Sequence, residues 1–298
     1  MNKNEISEAF QQLQDHICRR VEQTDGVSTF QEDKWQRPEG GGGRTRIIKG
    51  EGVIEKGGVN FSEVHGKVTD MMRRNTEITA DQFFATGVSI VLHPNNPHVP
   101  IIHMNVRYFE LSDGKYWFGG GIDLTPHYIV KDQARAFHQG LKDICDKYDS
   151  SFYPKFKVWA DDYFYLPHRD ETRGVGGIFF DHIKESDSLT KDQLFNFCKD
   201  LGEAFPELYK YQVSLGKDLD FSEREIDWRN TRRGRYVEFN LVHDRGTKFG
   251  LVSGGRTESI LMSLPATAQW EYCKPIEPGS GEESTLRLLS KEIDWINA

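Results

Sequence analysis

Polar and apolar positions alternate in "HPNNPHVPIIHMNVRYFEL", residues 93–111, and the alternation predicts an extended strand after a proline-bent approach. Pro94, Pro97 and Pro100 each fix φ and remove a backbone donor, so no helix runs through the first half. Beyond Pro100, Ile101, His103, Asn105, Arg107 and Phe109 share one face. Ile102, Met104, Val106 and Tyr108 share the other, because side chains change face at every residue of a strand. The second set suits a core. The first sets imidazole, amide and guanidinium in a row, a floor for something polar or anionic.

The same reading along the chain gives the other elements. Ile6, Phe10, Leu13, Ile17 and Val21 recur at helical spacing, with Gly26 as the stop. The glycine-rich segment 40–66 predicts short strands with tight turns, and 85–92, 115–126 and 174–183 predict further strands. Helices are expected from near Asp132, over roughly 153–164 with Pro154 in the first turn, along Leu194 to Leu208, and at the end of the chain up to about Trp295. Val237, Phe239 and Leu241 alternate with Glu238, Asn240 and Val242, which predicts a strand. "KFGLVSGG" is its expected hairpin partner across Asp244-Arg245-Gly246. No linker tract or fixed-period repeat divides the 298 residues. The expectation is one α+β domain over 1–298, an antiparallel sheet with helices packed on it.

Composition narrows the chemistry. Charged residues are 28% and hydrophobic ones 37%, a polar-surfaced globular balance, and no run is apolar enough to span a membrane. The net charge of −8 argues against non-specific nucleic-acid binding, which depends on neutralising phosphates. Cys18, Cys145, Cys198 and Cys273 are scattered without a CxxC, which fits a reducing compartment. The N-terminus has no apolar signal core, so a cytoplasmic location is expected.

Three residue groups carry candidate chemistry. His93, His98 and His103 fall five apart, and His138 and His168 follow, but none forms HExxH or HxH. His103, beside Asn105 and Arg107, suits a proton donor or acceptor near neutral pH. Gly119-Gly120-Gly121 inside a strand suggests close approach of something large to the backbone, and Asp123 beside it is placed to accept hydrogen bonds from N–H groups of a bound ring. Arg107, Arg173, Arg245 and Arg256 lie beside glycines or on a polar strand face, where guanidinium forks match carboxylates. Arg232 and Arg233 read as solvated charges. No dinucleotide fingerprint or P-loop implies a nucleotide. A histidine-ligated metal oxygenase or hydrolase, and a non-catalytic carrier of such a ring, are the readings of other classes.

"GVSIVLHPNNPHVPIIHMNVRYF", "WFGGGIDLTP", "YFYLPHRDETRGVGGIFFDHI", "RRGRYVEFNLVHDRGTKFGL" and "GGRTESILMSLP" together resemble the oxygen-dependent coproporphyrinogen III oxidase family, over essentially the whole chain. The resemblance implies a large flat antiparallel sheet with helices on both faces, and a homodimer with Tyr236 to Glu271 at or near its interface. It implies oxidative decarboxylation of two propionates of coproporphyrinogen III to vinyls, with dioxygen as co-substrate. By motif, Ser89, Asn105, Val106, Arg107, Gly254, Gly255 and Arg256 become substrate contacts, and Arg173, Asp244 and Arg245 join them as candidates. His103 resembles the proton donor, and Asp123 the aspartate at the pyrrole nitrogens. No cofactor is implied as required, although a divalent metal is assigned in some bacterial members to the positions of His93, His103, His138 and His168. His243 stands where members often carry an aromatic residue.

Overall fold

The computed structural model describes residues 1–74, 79–252 and 255–298. Helix α1 (Lys3–Asp25) opens the chain, capped by Asn2 and Glu5 and stopped by Gly26 in the left-handed conformation. Strands β1 (Gln31–Gln36), β2 (Gly41–Lys49) and β3 (Ile54–Lys67) follow, then a short helix α2 (Asp70–Arg74). Next come β4 (Gln82–Pro94), β5 (Ile101–Leu111) and β6 (Tyr116–Thr125), then α3 (Lys131–Asp146) and α4 (Phe152–Tyr163). A two-residue pair, β7 (Tyr165–Leu166) with β8 (Glu171–Thr172), precedes β9 (Gly176–Ile183). The chain ends with α5 (Lys191–Gly216), α6 (Glu223–Glu238), a π turn (Phe239–His243), α7 (Arg245–Val252), α8 (Thr257–Leu261) and α9 (Gly281–Arg287).

Seven strands form one antiparallel sheet in the order β1-β2-β3-β4-β5-β6-β9. The α+β expectation holds, and the glycine-rich segment makes long strands of 9 and 14 residues where short ones were expected. One face carries the main core: Ile102, Met104, Val106 and Tyr108 pack there with α1, α3 and α5. Trp295 docks on this core from a terminal segment of turns, because the last helix stops at Arg287 and does not reach Trp295. Helix α4 turns around the β9 edge. Phe152 and Phe156 join the main core, whereas Ala160 and the following Phe164 join a second cluster with Phe179 and Phe239 on the opposite face.

The expected hairpin over 236–252 is helical. Helix α6 begins at a Ser222/Glu225 capping box, and its buried stripe carries Trp228, Arg229, Arg232, Arg233 and Tyr236. Arginines therefore occupy positions where an apolar period would have marked a helix, and the short alternation after Tyr236 imitates a strand. The π turn inserts an extra residue into the ladder, and Asp244 breaks it before α7. Arg232 and Arg233 are buried rather than solvated. Arg232 pairs with Glu171 at 2.9 Å, and Arg233 pairs with Glu55 at 2.6 Å and donates to the Pro94 carbonyl. Both pairs tie α6 to the sheet side of the molecule.

Candidate functional site

The polar face of β5 belongs to a wider floor. Register places Thr45, Asn60, Ser89, Asn105, Gly121 and Phe179 side by side across β2 to β9. The next row is Gly43, Ser62, Gly87, Arg107 and Gly119. Side chains in a row sit about 4.8 Å apart and successive rows about 6.6 Å apart, so small and polar groups cover a broad area. Ser89 is exposed although it lies on the central strand of the sheet. A central strand with an exposed serine means that no described residue packs on that spot.

Walls rise at both ends. His182, Trp117, Phe109 and Phe83 form a stack across β9, β6, β5 and β4, with ring centroids 4.8, 4.4 and 5.7 Å apart. At the other end Tyr163 stacks on Phe179 at 4.0 Å, beside Phe164 and Phe239. Behind those rings lies a buried ionic group. Arg173 donates to both oxygens of Asp123 at 2.7 Å, and His103 Nδ1 lies 2.8 Å from Asp123 Oδ1. Asp123 is 1% and Arg173 2% exposed. The Arg173 guanidinium contacts the faces of Phe164, Tyr236 and Phe239 at 4.4–4.6 Å, and Asn240 of the π turn accepts its Nη1. Burial alone raises the Asp123 pKa. The Arg173 charge and the His103 contact outweigh it and hold the carboxyl below its ordinary 3.8.

This geometry changes the role expected of Asp123. Its oxygens already hold Arg173 and His103, and at 1% exposure it does not open onto the floor. Its link to the floor runs through His103. A carboxylate only accepts, so Nδ1 of His103 carries the proton and Nε2 is the free ring nitrogen. The His103 side chain keeps 18% of its surface exposed, enough to meet a ligand over the floor.

The glycine triple is not a bare surface either: all three residues are buried. A Cβ on Gly119 would lie 2.5 Å from Asp181 Oδ1 and 2.7 Å from Arg107 Nε. On Gly120 it would meet the Asn105 carbonyl and the Phe180 ring, and on Gly121 the Ile178 carbonyl. The open floor is centred on Ser89 and Gly87, toward β4.

Arginines surround the floor. Arg107 donates to Asn105 Oδ1 at 2.9 Å and pairs with Asp181 at 3.1 Å. Arg245 lies over the Tyr163 ring, whose hydroxyl donates to Asp244 at 2.7 Å. Arg256 pairs with Asp33 on the β1 edge, next to the Thr45–Ser259 hydroxyl contact, and Gly255 N–H donates to the Gly250 carbonyl. Gly254 lies outside the described residues. Val106 faces the core and offers only backbone to the floor. Asp181, Asn240 and the Phe164/Tyr236/Phe239 cage were not marked by the sequence reading, since no spacing signals them.

The four histidines assigned to a metal by resemblance are not gathered. His138 sits in the main-core layer, with Nδ1 bonded to the Tyr153 hydroxyl and Nε2 to the Val175 carbonyl. His93 is fully buried and donates Nε2–H to the Ser263 carbonyl. His168 is at the surface, bonded to Glu238 and to His243. Among the described residues no three histidine, cysteine or carboxylate side chains form a common ligand sphere. The set does not fit one metal ion. A cleft of about 940 Å³ lined by Ser7, Arg44 and Glu63 lies across the sheet beside α1 and holds none of the candidate residues.

The family profile of coproporphyrinogen III oxidase matches residues 5–295. The chain belongs to the coproporphyrinogen III oxidase family. The match spans every element of the site, from α1 to the buried Trp295. For a coproporphyrinogen oxidase, whose substrate carries four propionates, a wide small-residue floor bordered by arginines is the expected shape. No described helix is long and apolar enough to cross a membrane.

Proposed function

We propose that this chain is the oxygen-dependent coproporphyrinogen oxidase of haem biosynthesis. At two propionates in turn, R–CH2–CH2–COOH and O2 give R–CH=CH2, CO2 and H2O2, so coproporphyrinogen III becomes protoporphyrinogen IX. The observation that carries this is the exposed Ser89 floor with Arg107 within it and the Asp123-oriented His103 at one end. Arg107 is the propionate fork, with Arg245 and Arg256 at the floor's edges. His103 and Arg107 are four positions apart, about 13 Å along the strand, so the two groups meet different parts of one macrocycle. The electron-rich porphyrinogen reduces dioxygen itself. The protein orients the reacting propionate, excludes water and moves a proton at His103 Nε2. No prosthetic group is assigned a step.

Exposed Leu241, Val242, Leu251, Val252 and Trp270 cluster in the segment Tyr236 to Glu271, which supports a homodimer through that segment. All four cysteines are free, three of them buried, which supports a reducing, cytoplasmic setting. The test is to load the protein with coproporphyrinogen III without oxygen, admit oxygen, and resolve products by mass. Two successive losses of CO2 plus two hydrogens are expected. Retained propionates would make the protein a carrier, and oxygen-insensitive turnover would reject the oxygen-dependent chemistry.

A further inference from the structure

Arg107, the fork for a propionate, already holds a carboxylate of the protein. Its Nη2 lies 3.1 Å from Asp181 Oδ1. The two residues stand on β5 and β9, and the pair spans the intervening strand β6 by lying on Gly119. A Cβ on Gly119 would strike both partners and push the pair aside. Asp181 is aimed there by an irregularity in β9. Phe118 and Gly120 of β6 face Ile183 and Phe180 of β9, so two steps on one strand oppose three on the other. That is a β-bulge, a device that re-aims a side chain beside a site. His182 within it takes a φ of 53°, in the left-handed region, and its N–H donates to Asp181 Oδ1 at 2.9 Å. Asp181 Oδ2 also lies 3.4 Å from His182 Nδ1. Asp181 thus keeps partners of its own when Arg107 is taken by something else.

We infer that Asp181 is a stand-in carboxylate, a positioning residue that occupies the Arg107 fork between propionates and returns to it when the bound propionate is lost. The inference rests on the reading of this site as a propionate oxidase. A propionate that engages Arg107 through Nη2 competes with Asp181 for it. Once its carboxyl leaves as CO2, the vinyl that remains has no charge to offer. Without Asp181 the vacated fork would draw in any remaining propionate in whatever orientation came first. With Asp181 back on Arg107, the partly converted ring is free to turn or leave. Asp181 therefore weakens substrate binding and speeds turnover, the opposite of what a prop for Arg107 would do.

The experiment uses the full chain and coproporphyrin III, the oxidised ring with four propionates, as a non-reacting probe. Asp181→Asn keeps an oxygen for the His182 N–H and removes the charge. It is expected to bind coproporphyrin about 5- to 10-fold more tightly than wild type, a gain of roughly 1–1.4 kcal/mol. The multiple-turnover rate should fall several-fold, and by more than the rate of a single turnover. The tightening should vanish in Arg107→Ala/Asp181→Asn. Equal or weaker binding by Asp181→Asn, with Arg107→Ala still impairing binding, would overturn the stand-in role and leave the propionate fork intact. If Arg107→Ala binds as well as wild type, the fork itself is wrong and the inference falls with it.

Discussion

Replacing Asp123 by Asn should cost stability and turnover together, for separate reasons. The carboxylate is 1% exposed and meets a guanidinium that is 2% exposed. Taking the charge from one member of a buried pair leaves the other uncompensated, a loss of about 3–5 kcal/mol. The rings of Phe164, Tyr236 and Phe239 hold Arg173 in both proteins, so their attraction cancels in the difference. For a chain of this length the loss corresponds to a fall of roughly 6–10 °C in Tm. Turnover falls through His103. An Asn oxygen at the Oδ1 position, which also faces Arg173, still accepts from His103 Nδ1–H, but the contact is neutral instead of charge-assisted. The ring offered to substrate is then less firmly oriented.

Two assays separate these effects. Thermal unfolding at pH 7 reads the charge pair, and oxygen-dependent product formation reads the orientation of His103. Asp123→Asn/Arg173→Gln removes the stranded charge and should recover part of the Tm, with activity still below about a tenth of wild type, a barrier change above roughly 1.4 kcal/mol. The pH dependence has a fixed sign. Folding lowers the Asp123 pKa, so its contribution is present above the ordinary 3.8 and is lost as pH falls below it. An Asp123→Asn protein that melts within about 2 °C of wild type at pH 7 would refute the energetic reasoning. Activity above the tenth would remove His103 orientation from the mechanism.

Arg107 is 39% exposed, so solvent discounts its grip, and Arg107→Ala should lose about 1–2 kcal/mol, roughly 5- to 30-fold in kcat/KM, with Arg107→Lys recovering part. Equal values in all three proteins would remove it from the site. Burial holds His93 neutral down to about 3 and His138 to about 4, whereas the unfolded chain protonates both near 6.5. The unfolded state therefore binds more protons between roughly pH 6 and 4.5, and stability falls with acidification by about 1.4 kcal/mol per pH unit for each. Urea midpoints from pH 7 to 5 should show this slope, and His138→Gln should flatten it by one proton even though it lowers stability overall. Exhaustive chelation is expected to leave turnover intact, because His93, His103, His138 and His168 do not converge. Near-unit metal content in active protein, with reversible loss on chelation, would overturn that.

The floor was legible because a strand repeats every two residues, so one string placed His103, Asn105 and Arg107 on a shared face without any knowledge of neighbours. The rows across it were not legible, since register between strands is set by pairing partners far away in the chain. Helix α6 was hidden for a different reason. Its buried stripe is made of arginines that find Glu55, Glu171 and backbone carbonyls only after folding, so composition marked the stripe as surface. Asp123 shows the same limit at the site. Its position beside the glycines was readable, but that Arg173, 50 residues on, closes over it was not. The bulge at Asp181 and His182 lies furthest from any sequence rule. No glycine or proline marks it, and "IFFDHI" reads as unbroken strand. Its cause is steric and non-local: the Arg107–Asp181 pair needs the space above Gly119, and β9 reaches that space only by carrying one residue more than β6 opposite it. A glycine inside a strand was thus a signal of close approach, as the sequence suggested. What approaches is an ion pair of the protein, the pair that the proposed stand-in role sets in competition with a ligand carboxylate.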